Sequence, residues 1–225
     1  MAVYLFVHGA WGGANNWSGI IKRLRLAGQE CHYASLTGLG EKAHQVHPGI
    51  TLSDHISDVI GVIDHYDLKD IILVGHSYGG VVISGVAALR HDHIRTLIYV
   101  DAFLPEDGEA LWDIADDPSR KHYIDAQRDA PGLVAPFPGS PPHLTRHPLL
   151  TLTEPVQLND GMKSIKKHTY IYATQAAPTV FTKFYERVKD DSKWRTHSIN
   201  TSHGVMQDDP DGLATLLLAE ASEQA

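Results

Sequence analysis

Residues 71–83 constrain the fold more than any other part of the chain. They are Ile-Ile-Leu-Val-Gly-His-Ser-Tyr-Gly-Gly-Val-Val-Ile. The apolar run at the start, which lacks polar alternation, predicts a fully buried strand, and the glycine-rich apolar run after Ser77 predicts a helix that begins at once. A strand that becomes a helix within a few residues turns sharply. The turn crowds the positions two before and two after Ser77, and Gly75 and Gly79 occupy them without a Cβ atom.

The same turn makes Ser77 a candidate nucleophile. At the apex its hydroxyl would stand clear of the sheet, and the N–H of Tyr78, at the positive end of the new helix, would point to where an oxyanion forms. The pattern Gly-x-Ser-x-Gly is common by chance in glycine-rich chains, so a structural Gly-Ser turn is the alternative. The position between a buried strand and an apolar helix favours the nucleophile.

Composition excludes several classes of protein. A chain of 225 residues fits one domain that buries roughly 70% of its unfolded surface. Its net charge of -8, without a Lys/Arg cluster, argues against nucleic acid as a partner. The single cysteine, Cys31, allows no internal disulfide, and no stretch reaches the about 18 apolar residues that span a membrane. The expectation is a soluble cytoplasmic protein without membrane partners. The sequence does not decide whether it forms a homodimer.

Strands and helices alternate through the first half of the chain. Residues 3–7 form a continuous apolar run that ends in a glycine-rich loop, where the N–H of Ala10 is a second candidate oxyanion donor. Residues 94–100 are another predicted strand, which leads into Asp101. This alternation predicts a mostly parallel central sheet of about six strands with helices on both faces. Ligands bind at the carboxyl ends of such strands, where Ala10, Ser77 and Asp101 would all lie.

The alternation stops between residues 105 and 167, where proline, glycine and acidic residues are frequent. Prolines at this density exclude long helices, so this segment is interpreted as a small insertion, the cap. The predicted core is residues 1–104 and 168–225, and the cap is residues 105–167. Some apolar cap residues could line a substrate pocket, although most such residues simply pack a cap onto its core. The candidates are Trp112, Leu133, Phe137, Leu144, Leu149 and Leu150.

The alternation resumes after the cap. Residues 168–172 and 194–199 are predicted strands, and a helix with proline in its first turn is predicted over residues 178–189. His203 follows the last strand in a short loop, which can face the same edge of the sheet as the serine. His203 is therefore the preferred base among 15 histidines.

Two sequence features are less informative. A helix is predicted from Ser53, as its N-cap, to about Tyr66. His44 and His47 are three residues apart, as metal ligands can be, but no third ligand accompanies them convincingly. The sequence therefore favours a protein without a metal site.

Three segments together resemble the α/β-hydrolase superfamily, and within it the compact branch that contains plant methyl esterases and hydroxynitrile lyases. Residues 7–13, followed by Trp17, resemble the oxyanion loop of those esterases. Residues 75–80 resemble their nucleophile elbow, and Ser202-His203 resembles their histidine loop. The resemblance covers nearly the whole chain outside the cap, and it implies the α/β-hydrolase fold and a serine–acid–histidine order.

The acid departs from the family's usual pattern. In most relatives it follows the second-last strand, but here residues 173–178 contain no carboxylate. Some relatives carry it one strand earlier, which corresponds to Asp101, directly after Val100. We expect Asp101 to reach His203 because the two strand ends would be neighbours. An acid-less dyad, a more distant carboxylate, and an aspartate that only caps a turn are the alternatives.

The resemblance implies a serine carboxylic-ester hydrolase for a small to medium apolar substrate. Ser77 would attack the carbonyl, His203 would take its proton, Asp101 would orient the imidazole, and the N–H groups of Ala10 and Tyr78 would bind the oxyanion. Water would complete deacylation through an acyl-enzyme. Neither a metal nor an organic cofactor is expected.

Other functions use the same scaffold. A lactonase would use the same residues. Hydroxynitrile lyases have a threonine in the first loop and a lysine beside the histidine, whereas this chain has Gly9 or Ala10 and Gly204 at those places. Cofactor-independent oxygenases keep a His/Asp pair and can dispense with the serine, so Ser77 counts against them only mildly. A non-catalytic ligand-binding relative is the remaining alternative.

Overall fold

The computed structural model describes residues 1–222. Within this part of the chain there are eight strands. In chain order they are β1 (Val3–Val7), β2 (Glu30–Ala34), β3 (Ile71–His76), β4 (Ile94–Val100), β5 (Leu133–Val134), β6 (His147–Pro148), β7 (Lys167–Ala173) and β8 (Trp194–Ile199). Six of them form one sheet in the order β2-β1-β3-β4-β7-β8, and all neighbours in it are parallel. The predicted α/β architecture with about six strands is confirmed.

Helices cover both faces of this sheet. Those within the described residues are α1 (Ser18–Leu26), α2 (Leu52–His65), α3 (Gly79–Arg90), α4 (Leu111–Ile114), α5 (Asp117–Asp125), α6 (Leu150–Thr153), α7 (Asp160–Ser164), α8 (Thr182–Val188), α9 (Val205–Asp208) and α10 (Pro210–Ser222). Leu5 and Val7 of β1 pack in the same apolar cluster as α2, α3 and α8, whereas Tyr4 and Phe6 pack with α1 and α10. Because both faces are covered, β1 and the first four residues of β3 are apolar without polar alternation.

Two predicted helix starts differ from the structure. The N-cap of α2 is Thr51, whose hydroxyl accepts the N–H of Asp54 while the Asp54 carboxylate accepts the N–H of Thr51. The expected cap, Ser53, instead donates its hydroxyl to Glu154 at 2.5 Å. The helix predicted over residues 178–189 begins only at Thr182, because the hydroxyl of Thr182 accepts the N–H of Thr179 in a turn that precedes the helix.

The cap joins β4 to β7 through short elements. Its longest helix, α5, has nine residues, and β5 and β6 form a two-residue antiparallel pair. The Ser53–Glu154 hydrogen bond connects the cap to α2 of the core. That residues 105–167 form the cap remains a proposal. Its last residue, Lys167, is also the first residue of β7.

The helices within residues 1–222 are all too short or too polar to cross a bilayer.

Candidate active site

Ser77 lies on a sharp turn between β3 and α3. Its φ of +54° is in the left-handed region, which residues other than glycine rarely adopt. The carbonyl of Ser77 accepts the N–H of Phe103 at 3.1 Å and the N–H of Gly80 at 3.0 Å. These bonds hold a strained backbone, as is common at catalytic nucleophiles. The predicted strand–turn–helix arrangement is confirmed.

Close backbone contacts explain the glycines of this turn. A Cβ atom on Gly75 would lie 2.6 Å from the carbonyl oxygen of Gly79. One on Gly79 would lie 2.7 Å from the carbonyl oxygen of Val7 at the end of β1. Neither position accepts a side chain unless the backbone moves, so the turn needs both glycines.

Asp101 and His203 meet in a direct hydrogen bond. Asp101 is buried directly after β4, with a φ of +41°, and its Oδ2 lies 2.7 Å from Nδ1 of His203. Its Oδ1 accepts the N–H of Ala173 at 3.2 Å. The expectation that the two strand ends are neighbours is wrong, since β7 lies between β4 and β8. The carboxylate instead reaches across the end of β7, and Ala173 of that strand helps to orient it.

Two rings pack against the imidazole of His203. Phe181 stacks on it almost in parallel, with centroids 4.6 Å apart and an interplanar angle of 8°. His76 also contacts it, at 4.5 Å and 33°, and Nε2 of His76 donates to the carbonyl oxygen of His203 at 2.9 Å. Burial, and next the charge of His203, hold the pKa of His76 well below its usual value. His76 is therefore neutral and orients the His203 loop.

The two candidate oxyanion donors have no competing acceptor. Within residues 1–222, neither the N–H of Ala10 nor that of Tyr78 makes a hydrogen bond to protein. The loop that carries Ala10 approaches the turn closely, because a Cβ atom on Gly9 would lie 3.1 Å from Cβ of Ser77. Unpaired N–H groups beside a nucleophile can bind an oxyanion without first breaking another bond.

A cavity of about 530 Å³ opens above this edge of the sheet. Ala10, Ser77 and His203 line it together. The rest of its wall is mainly apolar and aromatic, with a few hydroxyl and amide groups, and it includes Trp11, Asn16, Phe103, Ser119, Tyr123, Phe137, Ser140, Leu144, Val180, Phe181, Met206 and Gln207. This is the usual character of a site for a small organic molecule.

The cap residues predicted as pocket candidates divide into two groups. Phe137 and Leu144 line the cavity. Trp112 and Leu149 pack against the core cluster, Leu133 belongs to β5, and Leu150 is 44% exposed. Two of the six candidates therefore line the cavity, and two others pack the cap onto the core.

A second, wider groove lies beside α1. Its volume is about 870 Å³, and none of the predicted catalytic residues borders it. His143 lines both this groove and the cavity beside Ser77. The candidate nucleophile, Ser77, and the candidate base, His203, both line the smaller cavity.

Within residues 1–222, no group of three or more potential metal ligands is close enough to hold an ion. His44 and His47 are exposed.

Sequence reasoning missed several residues of the site. His8 is fully buried beneath the oxyanion loop, where its Nδ1 donates to the carbonyl of Gly9 at 2.9 Å and its Nε2 accepts the N–H of Leu36 at 3.3 Å. Burial lowers its pKa to about 4. The position of His76 beside Ser77 gave some signal for a role, but Phe181 is an ordinary apolar residue in the sequence.

Comparisons with known proteins agree with this geometry. The family model described as the alpha/beta hydrolase family matches residues 4–216. The chain belongs to the alpha/beta hydrolase family. It is 34% identical, over 97% of its length and 99% of the relative's, to a carbendazim hydrolyzing esterase of Nocardioides sp. (strain SG-4G). It is 27% identical to Methylesterase 10 of Arabidopsis thaliana over 45% of this chain and 38% of that one.

Solved structures show the same fold. An extracellular alpha/beta-hydrolase from a Paenibacillus species, described as sharing structural and functional homology with tobacco Salicylic Acid Binding Protein 2, superposes with a TM-score of 0.85. The two chains are 22% identical, and the match covers 97% of this chain and 98% of the other. The predicted family, fold and class, an esterase-like α/β hydrolase, are confirmed.

Proposed function

We propose that this hydrolase cleaves a carboxylic ester of a small to medium apolar substrate, with Ser77 as nucleophile, His203 as base and Asp101 as the acid of the triad. One contact carries the proposal: the 2.7 Å hydrogen bond between Asp101 Oδ2 and His203 Nδ1, beside the cavity that Ser77 lines. A buried carboxylate on Nδ1 fixes the imidazole tautomer and leaves Nε2 free to accept a proton.

The mechanism follows from these positions. The hydroxyl of Ser77 attacks the carbonyl carbon while Nε2 of His203 takes its proton, and Asp101 stabilises the resulting imidazolium. The N–H groups of Ala10 and Tyr78 bind the oxyanion of the tetrahedral intermediate. His203 then gives the proton to the leaving alcohol, and an acyl-enzyme remains. Water, activated by His203, attacks the acyl-enzyme and releases the acid.

The size and lining of the cavity favour a small to medium apolar substrate, and an aromatic group on that substrate could pack against the aromatic wall. Trp11, Phe137 and Phe181 contribute aromatic rings to its wall, and Ser119 and Ser140 add hydroxyl groups. The carbendazim hydrolyzing esterase, at 34% identity over nearly the full length, gives an aryl carbamate ester as a reasonable first substrate to test. Lactones fit the same machinery and belong in the same experiment.

A substrate panel tests the proposal. Methyl esters, aryl esters, aryl carbamate esters and lactones are supplied to the wild type and to Ser77→Ala, and fluorophosphonate labelling locates the nucleophile by mass spectrometry. We expect turnover of at least one ester class, label on Ser77, and a loss of kcat on the order of 10⁴-fold or more in the variant.

Ser140→Ala is the matched control, because Ser140 lines the same cavity without occupying the turn. It should keep kcat within about threefold of the wild type and keep the label. Turnover that survives Ser77→Ala, or a label on another residue, would contradict Ser77 as nucleophile. A faster reaction with lactones than with any ester would favour the lactonase.

A further inference from the structure

Trp11, the residue after Ala10, is bonded to the cap through its polar groups. Its N–H donates to Nδ1 of His147 at 3.3 Å, and its carbonyl accepts the N–H of Thr145 at 2.9 Å. Its indole N–H donates to the carbonyl of Val134 at 3.0 Å. With a φ of +60°, Trp11 is also in the left-handed region. The conformation beside Ala10 therefore depends on cap residues as well as on the core.

The hydrogen bonds of His147 define its tautomer. Nε2 lies 2.6 Å from the hydroxyl oxygen of Thr151, and that hydroxyl donates to the carbonyl of Pro148 at 2.8 Å. The Thr151 oxygen must therefore accept from Nε2–H, so Nδ1 carries the lone pair that accepts the N–H of Trp11. His147 is fully buried, and burial, with His55 and His8 nearby, holds its pKa well below its usual value. The acceptor on Nδ1 is therefore retained at neutral pH.

The same imidazole packs against the residue of the other oxyanion donor. The rings of His147 and Tyr78 are 4.9 Å apart at an angle of 80°, which is a favourable edge-to-face geometry. The hydroxyl of Tyr78 donates to Nδ1 of His55 at 2.8 Å, since Nε2 of His55 donates to the carbonyl of Thr37. His147 thus contacts both segments whose N–H groups would form the oxyanion hole.

We propose that His147 is a positioning residue for the oxyanion hole: by accepting the N–H of Trp11 and packing on Tyr78, it fixes the N–H groups of Ala10 and Tyr78 relative to Ser77. The inference rests on the proposed function. With this role for His147, the cap contributes to catalysis and also covers the substrate. An oxyanion site stabilises the transition state only when its donors are held at the correct distance before reaction.

Two substitutions separate positioning from packing. His147→Leu removes the acceptor for Trp11 and keeps an apolar group of similar size, whereas His147→Asn places an amide oxygen near the position of Nδ1. We expect His147→Leu to lower kcat about 100-fold with little change in KM, which is the scale of one impaired oxyanion donor. His147→Asn should recover most of that loss and remain within about tenfold of the wild type.

Inhibitor binding provides a readout that a purely structural role would not change. A trifluoromethyl ketone forms a tetrahedral oxyanion with the nucleophile, and the matching secondary alcohol does not. In His147→Leu the Kd of the ketone, measured by calorimetry, should rise about as much as kcat falls, while the Kd of the alcohol stays constant. His168→Leu is the control, because His168 is a half-buried histidine of β7 whose ring packs on Trp194, away from Trp11 and Tyr78.

The outcomes decide the inference in either direction. An unchanged kcat in His147→Leu overturns it, and so does an equal weakening of ketone and alcohol binding. Equal losses in the Leu and Asn variants also overturn it. If the wild type hydrolyses no ester, the proposed function fails on that result alone, and the ratio of ketone to alcohol affinity still tests the role of His147. A variant that melts far below the wild type is replaced by Thr151→Val, which removes the partner of Nε2 and should give a smaller loss of the same kind.

Discussion

The carboxyl edge of the sheet and the cap above it are built in different ways. At the edge, Ser77 and Asp101 directly follow strands, and bonds between backbone groups of neighbouring strands hold them in left-handed conformations. In the cap, helices are short and many of the contacts are made by side chains, such as the stacking of His122 on Phe137 at 3.9 Å. Main-chain hydrogen bonds of the sheet therefore fix the candidate catalytic groups at the edge, whereas side-chain packing shapes the cap wall of the cavity.

This difference predicts different kinetic effects in the two regions. Changes at the edge should lower kcat, because they alter groups that act on the transition state. Changes to cap side chains that line the cavity should raise KM, because they remove contacts that substrate and transition state share. His147 is the proposed exception.

Asp101→Asn should have the largest effect. Asparagine tolerates a positive φ, so the backbone can remain as it is, and its oxygen can still accept the N–H of Ala173. Its NH₂ group would then face Nδ1 of His203 and favour the wrong tautomer, so kcat should fall on the order of 10⁴-fold with KM nearly constant. Steady-state kinetics on an aryl ester provides the measurement.

Asp208→Asn is the matched control for that change. Asp208 accepts the N–H of Ser202 in the same histidine loop but does not contact the imidazole of His203. Its kcat should stay within about threefold of the wild type. Near-full activity in Asp101→Asn would remove Asp101 from the triad and leave the acid-less dyad as the better description.

The free energy of unfolding at acid pH should depend on His8, which is buried beneath the oxyanion loop. The pKa of His8 is about 4 in the folded protein and about 6.5 in an unfolded chain. Between these values the unfolded state binds a proton that the folded state does not, so stability is present above pH 6.5 and is lost as pH falls toward 4. The loss from His8 approaches about 3 kcal/mol, and urea unfolding at neutral and at mildly acidic pH measures it.

His8→Gln isolates that contribution, because glutamine does not titrate. The variant is expected to be less stable at neutral pH and to lose less of its free energy of unfolding on acidification than the wild type. Parallel pH dependences for the two proteins would show that His8 does not cause the acid sensitivity.

Phe137→Ala should have the smallest effect of the three. Phe137 lines the cavity and packs edge-on against Trp11 at 5.3 Å, so its loss should raise KM for aryl esters about tenfold with kcat nearly unchanged. Leu150→Ala, at a cap residue that is 44% exposed and not part of the cavity wall, should change neither parameter. A larger fall in kcat than rise in KM for Phe137→Ala would remove the contrast between the edge and the cap.

The elements of the core were predictable from sequence because their signals are local. β1 and the start of β3 are continuous apolar runs, which is typical of buried parallel strands. Gly75 and Gly79 indicate a turn that a Cβ atom would prevent. β4 and β8 have the predicted bounds, Ile94–Val100 and Trp194–Ile199. The serine on its turn and a histidine after the last strand were found for the same reason.

The remaining features of the site depend on contacts between distant segments. The chain order does not reveal that β7 separates β4 from β8, so the expected route from Asp101 to His203 was wrong although the two groups do meet. Phe181 lies directly before α8, and His147 lies in β6, a strand of two residues that is too short to show a periodic pattern. Only the folded chain brings them to the histidine and the oxyanion loop.

The location of the cap in the topology has a consequence for redesign. β4 and β7 are adjacent and parallel, so the chain must return to the opposite end of the sheet between them. The segment that covers the substrate also makes this return, and α7 packs against α3 on the way back. Deleting it would leave two neighbouring strands without a connection, whereas exchanging it for a cap of another length preserves the sheet order. New substrate preferences are therefore best sought by transplanting whole caps between the ends of these two strands.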